Sequence, residues 1–173
     1  MPHLIDALAE DDCRVAAEAA IRKFGRAARP ALIEAAALRL PSSDRESVSS
    51  RRRRRSALGL LAEFGISRKA WCKLRHLIQD EDAHVAVLVC NICLEINAVS
   101  DVEDAVHRLM ELLCGADWML AEDIANRLAL HFGKAKQIIA AATRASEGGD
   151  TPADSRAVGV LRRVMSRAAD SEV

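Results

Sequence analysis

Apolar residues recur along this chain at intervals of three and four, the spacing that lines one face of a helix, and Gly, Pro, Asn and Ser interrupt them. The pattern predicts helices over 3–10, 13–24, 31–40, 43–64 and 67–78. It predicts five more over 83–96, 100–113, 118–132, 134–146 and 151–168, which makes ten helices and no strand. Terminus signals set the boundaries. Asp11 and Asp12 offer an N-cap to the second helix and Gly25 closes it. Pro30 suits the first turn of the third helix, and Pro41 ends it. Capping boxes of the form S-x-x-E stand at Ser43–Glu46 and Ser100–Glu103, while Ser67 and Asp82 are single caps. Gly65, Asn97 and Gly133 close helices, and Gly148 with Gly149 forms a loop.

A period runs through these helices. AAIRKFG ends at Gly25, GLLAEFG at Gly65, NICLEIN at Asn97 and RLALHFG at Gly133, so successive ends lie 40, 32 and 36 residues apart. Counted back from each end, the first position is Phe24, Phe64, Ile96 and Phe132. The fifth is Ala20, Leu60, Ile92 and Leu128, and the eighth is Ala17, Ala57, Val89 and Ala125. GVLRRVMS, from Gly159, is a weaker fifth copy. A two-helix unit recurring at roughly this length is the mark of an α-solenoid, where each unit buries its apolar face on its neighbours.

LIDALAEDDCRVAAEAAIRKFG and KLRHLIQDEDAHVAVLVCNICLEIN resemble HEAT repeats, and are closest to the short bacterial kind also called PBS-lyase HEAT-like. The resemblance implies an all-α, right-handed α-solenoid of about five HEAT-like helix pairs forming one domain over residues 1–173. The clearest repeats span 1–145, a weaker terminal capping helix 150–170, and a tail 171–173. It also implies a protein-binding scaffold displaying its inner helices on a concave face. The arginine usual beside the valine is transposed here (Arg14, Val15) or replaced by Ala86, and the second unit carries arginines where the others carry acids.

Composition narrows the class. Half of the residues are hydrophobic and only 3 % are aromatic, with few Gly and Pro, which favours helices over sheet. No apolar run is long enough for a transmembrane helix, and the acidic start MPHLIDALAEDD lacks the basic region of a signal peptide, so a cytoplasmic protein with reduced cysteines is expected. The net charge of zero hides a polarity. Residues 1–75 carry 16 Lys/Arg against 9 Asp/Glu, and residues 76–173 carry 9 against 16, which matters for steering partners.

The strongest charge feature is Arg51, Arg52, Arg53, Arg54 and Arg55. Five cations in a first turn would oppose the helix dipole, so the capping box at Ser43 is expected to start the helix earlier. Five successive residues also span more than one turn, and some would meet a core unless the helix overhangs its layer. A solvated face is the simplest expectation, and phosphate or nucleic-acid contact and an acidic protein partner are the functional ones. Few aromatics stand near the run to stack on bases.

Cys90 and Cys93 form C-x-x-C, with Cys72 and His76 on the preceding helix, but a mid-helix apolar setting suits core thiols better than metal or redox chemistry. Asp123, Arg127 and His131 share one helix stripe with Trp118 near its start, where an Asp–Arg surface pair is the ordinary reading. A concave-face ligand site is the sharper one, and DNA glycosylases built on HEAT-like repeats use an Asp and tryptophans there. That resemblance does not reach the residues that would carry the chemistry, and no residue matches a bilin lyase or isomerase. The expectation is therefore a non-enzymatic interaction module with a protein partner, no cofactor and no metal. Nucleic-acid binding through the arginine run is the alternative. The oligomeric state and the partner's identity are open.

Overall fold

The computed structural model describes residues 1–42, 45–133, 136, 137, 139, 140 and 159–166. They are mostly helical, in keeping with the expected all-α class. Eight α-helices are defined among them, where ten were predicted. The chain divides into two compact units, Met1–Ile92 and Cys93–Val173.

In the first unit α1 (Pro2–Ala7) and α2 (Asp11–Phe24) form one pair, and α3 (Arg29–Ala37) and α4 (Val48–Phe64) the next. Gly25 ends α2 with φ +54°, a left-handed conformation that costs glycine little, and a 3₁₀ turn then leads into α3, whose first turn holds Pro30. The first turn of α2 holds Asp11 and Asp12, and neither caps it. Helix α4 lies at the centre of the unit, packed against α1, α2 and α3. Ala57, Leu58, Leu60 and Leu61 are its buried apolar face.

The loop into α4 departs from the sequence reading. Pro41–Ser42 pairs antiparallel with Arg45–Glu46, a two-residue ladder where no strand was expected. Ser43 lies outside the described residues, and the helix starts later, at Val48, with the Ser47 hydroxyl accepting from the Ser50 N–H at 3.1 Å. Glu46, the other half of the predicted capping box, accepts instead from the Ser50 hydroxyl and from Arg54. The ladder ties the loop down, so the chain reaches helical conformation only after it.

The helix predicted over 67–78 is also corrected. Ser67 does cap a helix, but α5 is short (Arg68–Trp71), and a 3₁₀ segment, Arg75–Gln79, follows. Trp71, Leu74, Leu77 and Asp80 are all buried.

Helix α6 (Ala83–Ile96) starts in the first unit and runs into the second, with Val85, Ala86, Val89, Ile92 and Leu94 buried. Asp82 caps it by accepting from the Val85 N–H at 3.1 Å, as the sequence indicated, and Asn97 follows its end at φ +52°.

The second unit contains α7 (Val99–Gly115) packed against α8 (Trp118–Leu130), and residues 159–166 are helical. The expected box Ser100–Glu103 does not form. Helix α7 starts after Ala98 without a side-chain cap. Asp117 caps α8, accepting from the Leu120 N–H at 2.9 Å. This helix ends at Leu130, short of Gly133, which is itself helical. The predicted helix over 134–146 and the start of that over 151–168 lie largely outside the described residues. No helix among the described residues is long and apolar enough to cross a membrane.

Candidate binding groove and the arginine helix

The five arginines occupy the second and third turns of α4, and successive residues turn by about 100°, so they fan out around the whole helix. Because α4 is central, most of the fan points into protein. Arg54 is 0 % exposed and Arg53 6 %, which overturns the expected solvated overhang. Arg52 donates to the Ala9 carbonyl just beyond α1 at 2.9 Å and pairs with Asp11 at 2.7 Å. Arg53 donates to the Leu38 carbonyl at the end of α3. Burial pushes the Arg53 guanidinium below its ordinary pKa, a cost the charges of Asp6 and Glu46 partly offset.

Arg54 makes the densest set of contacts. Its Nε donates to the Ala36 carbonyl at 2.9 Å, Nη1 to Glu46 at 2.7 Å and Nη2 to Asp80 at 2.5 Å. Arg39 approaches the same Glu46 oxygen at 3.5 Å. Arg55 forms two parallel bonds to Asp82, Nε at 3.0 Å and Nη2 at 2.5 Å. Burial pushes the Asp82 carboxyl up, but the hydrogen bonds from Arg55 and from the Val85 N–H, with the charges of Arg55 and His84, together hold it below the usual carboxylate value.

The last carbonyls of a helix have no partner within it and carry the negative end of its dipole. Arg53 and Arg54 supply that partner to α3, Arg52 supplies it just past α1, and Arg54 and Arg55 clamp the aspartates leading into α6. Arg29 does the same for α4 itself, donating to the Phe64 carbonyl. The run is thus largely a set of internal fasteners. Arg51 differs, having no side-chain ion pair or hydrogen bond among the described residues.

What α2 and α4 leave between them is an open groove made of two adjoining hollows of about 320 Å³ each. Asp11, Arg14, Val48, Arg51, Arg52, Arg55 and Ser56 line the first. The second adds Glu18, Arg22, Gly59, Leu60 and Glu63, and shares Arg14, Arg55 and Ser56. The α2 contributors, 11, 14, 18 and 22, are one helical stripe, and 48, 52, 55, 59 and 63 are its counterpart on α4. At the far end Arg22 bridges to Glu63 with two bonds of 2.8 and 2.7 Å, which hold the Glu63 carboxyl below its usual value against a smaller upward push from burial.

No family model matches the chain, and neither a curated protein nor a solved structure matches it.

Gly59 stands in the helix interior, where glycine costs about 0.5–1 kcal/mol relative to alanine. A methyl group added there would meet nothing within 4 Å. Gly59→Ala is therefore expected to stabilise the protein by about 0.5–1 kcal/mol, read as a higher urea midpoint with an unchanged slope. A loss of stability would mean that the groove wall is tighter than its geometry indicates.

The residues flagged on the second unit separate. Asp123 and Arg127 do meet, with Nε to Oδ1 at 3.0 Å, as an ordinary i, i+4 pair. His131 is the C-cap of α8, past the helical stripe. Trp118 is 75 % exposed and lines a different hollow, with Ala121, Glu122, Val160 and Arg163. Five residues along a helix turn the chain by about 140° net, which takes Trp118 away from Asp123. Cys90 and Cys93 are buried in α6, and no group of three or more His, Cys, Asp or Glu suited to a metal occurs among the described residues.

Proposed function

We propose that this chain is a non-enzymatic interaction module that binds a protein partner along the groove between α2 and α4. In this reading its helix pairs are of the HEAT-like kind, stacked as a right-handed solenoid, and the groove is part of its inner face. The recurring positions support that reading. Ala17, Ala57, Val89 and Ala125 are each buried, and Gly25, Gly65 and Asn97 follow their helices at positive φ. The groove is the observation that carries the functional part, because both its walls are regular helices and small residues, Ser56 and Gly59, line it. Nucleic-acid binding through the arginine run has less support, since Arg52, Arg53, Arg54 and Arg55 are directed at carbonyls and carboxylates of the protein itself.

Photo-crosslinking tests the proposal. A crosslinking side chain placed at Ser56 or Gly59 is expected to capture a protein that the same side chain at the exposed Glu34 of α3 does not. That protein, once purified, should bind the unmodified chain and lose affinity for Gly59→Phe. Equal capture at all three positions, or binding unaffected by Gly59→Phe, would remove the groove from the interaction.

A further inference from the structure

Within the groove just proposed as the interaction surface, we infer that Arg51 and its neighbours form a receptor for a single carboxylate side chain on an extended peptide segment of the partner. The inference rests on that reading of the groove and adds the chemistry of the ligand. Four arginines line the first hollow, Arg14, Arg51, Arg52 and Arg55. Three of them already have a carboxylate: Arg14 approaches Glu18 at 3.4 Å, Arg52 meets Asp11 at 2.7 Å and Arg55 meets Asp82 at 2.5 Å. Arg51 has none, so the hollow carries one positive charge more than its own acids neutralise.

Donors remain on the tied arginines as well. Arg55 uses Nε and Nη2 on Asp82 and keeps Nη1, and Arg52 uses Nη1 and Nη2 and keeps Nε. A carboxylate entering the hollow therefore meets the full guanidinium fork of Arg51 and unused N–H groups beside it. Bidentate geometry of this kind suits a planar carboxylate. Val48, 61 % exposed at the mouth, offers an apolar contact for the residue next to that acid.

The count also selects against a polyanion. One surplus cation matches one acidic group, whereas a nucleic-acid strand presents a phosphate at every step and would run past Glu18 and Glu63 in the second hollow. Those two acids are already tied to Arg14 and Arg22, so the second hollow has no surplus charge and suits a neutral residue farther along the ligand. The segment expected is one acidic residue flanked by apolar and then neutral positions.

The test uses the full chain and fluorescein-labelled decapeptides with one central Glu in an Ala/Leu/Ser background, matched sets with Gln or Lys at that position, and oligo-dT. The Glu set should bind about tenfold or more tightly than the Gln set, the scale of one charge-assisted hydrogen bond. Arg51→Glu should abolish that preference and shift it toward Lys. Its urea midpoint should stay at the wild-type value, because the Arg51 side chain has no partner to lose. Equal binding of Glu and Gln sets, or an unchanged preference in Arg51→Glu, would overturn the inference. Charge-blind binding that Gly59→Phe removes would leave the groove standing without its acidic ligand. Peptide binding that neither variant touches would remove both. Oligo-dT binding with a log–log salt slope near about −3.5, the value for five phosphate contacts on a single strand, would overturn the inference in favour of nucleic acid.

Discussion

Arg54→Ala is expected to destabilise the protein by about 3–5 kcal/mol, the range for breaking a buried ion pair by removing one partner. Against a total stability of about 5–15 kcal/mol this is a large fraction, and the variant's urea midpoint should fall accordingly. The size follows from what is left behind. Asp80 and Glu46, both buried, would lose the guanidinium between them, and the Ala36 carbonyl would lose its donor. Arg39 is already engaged by Glu46 and Glu81, and the acceptance of the Asp82 N–H at 2.9 Å would not replace the charge that Asp80 loses. Lysine is not a conservative replacement, because one ammonium cannot reproduce a planar fork serving three acceptors on different elements. Arg54→Lys should recover less than half of the loss. Urea unfolding of wild type, Arg54→Ala, Asp80→Asn and the double variant would measure the coupling, expected between about 1 and 3 kcal/mol. A cost for Arg54→Ala within about 0.5 kcal/mol, as for a surface arginine, would sink the clamp description.

The second large effect is at Asp82. Asp82→Ala should cost about 2–4 kcal/mol, combining the N-cap of α6 at about 1 kcal/mol with the charge-assisted bonds to Arg55 at about 1.5–3. Asp82→Asn keeps an acceptor for the Val85 N–H and should cost less than Asp82→Ala. Acid should reveal the same group. The Asp82 carboxyl in the folded chain is more acidic than the unfolded value of about 3.9, so it adds stability that is complete at neutral pH and above. That contribution fades as pH falls through the folded value, when the carboxylate is protonated and Arg55 loses its partner. The difference in unfolding free energy between wild type and Asp82→Ala should therefore shrink from pH 7 to about pH 2. A difference that is independent of pH would mean that the cap alone, without the ion pair, holds this corner.

Neither effect could be read from the run of arginines alone. Five adjacent cations look in sequence like a solvent or phosphate surface, since nothing near them in the chain supplies five counter-charges. The partners sit elsewhere: Ala9, Asp11, Ala36, Leu38, Asp80 and Asp82 come from three other stretches of the chain. Glu46 was visible as half of a capping box, and the fold gave it a different role as the shared acceptor of Arg39 and Arg54. The weak signal available beforehand was geometric. Five consecutive helical residues cannot all face solvent on a packed helix, so the run had to be either overhanging or internally paired.

Local features were legible because local forces set them. The apolar spacing located the helices, Gly25, Gly65 and Asn97 marked ends that need positive φ, and Asp82 and Ser67 were identified as caps, since a cap depends on residues three apart. The recurring alanine and valine positions are buried in each of their helices for the same reason. Tertiary structure decided the rest. It moved the start of α4 to Val48 through the ladder at Pro41–Ser42 and Arg45–Glu46, and it replaced the second half of the helix expected over 67–78 by a turn and a 3₁₀ segment, Arg75–Gln79. It also chose which arginines are structural and left Arg51 at the groove. Periodicity and capping act over a few residues and are written in sequence order, whereas ion pairs and terminal carbonyls find partners across the fold, where only packing brings them within reach.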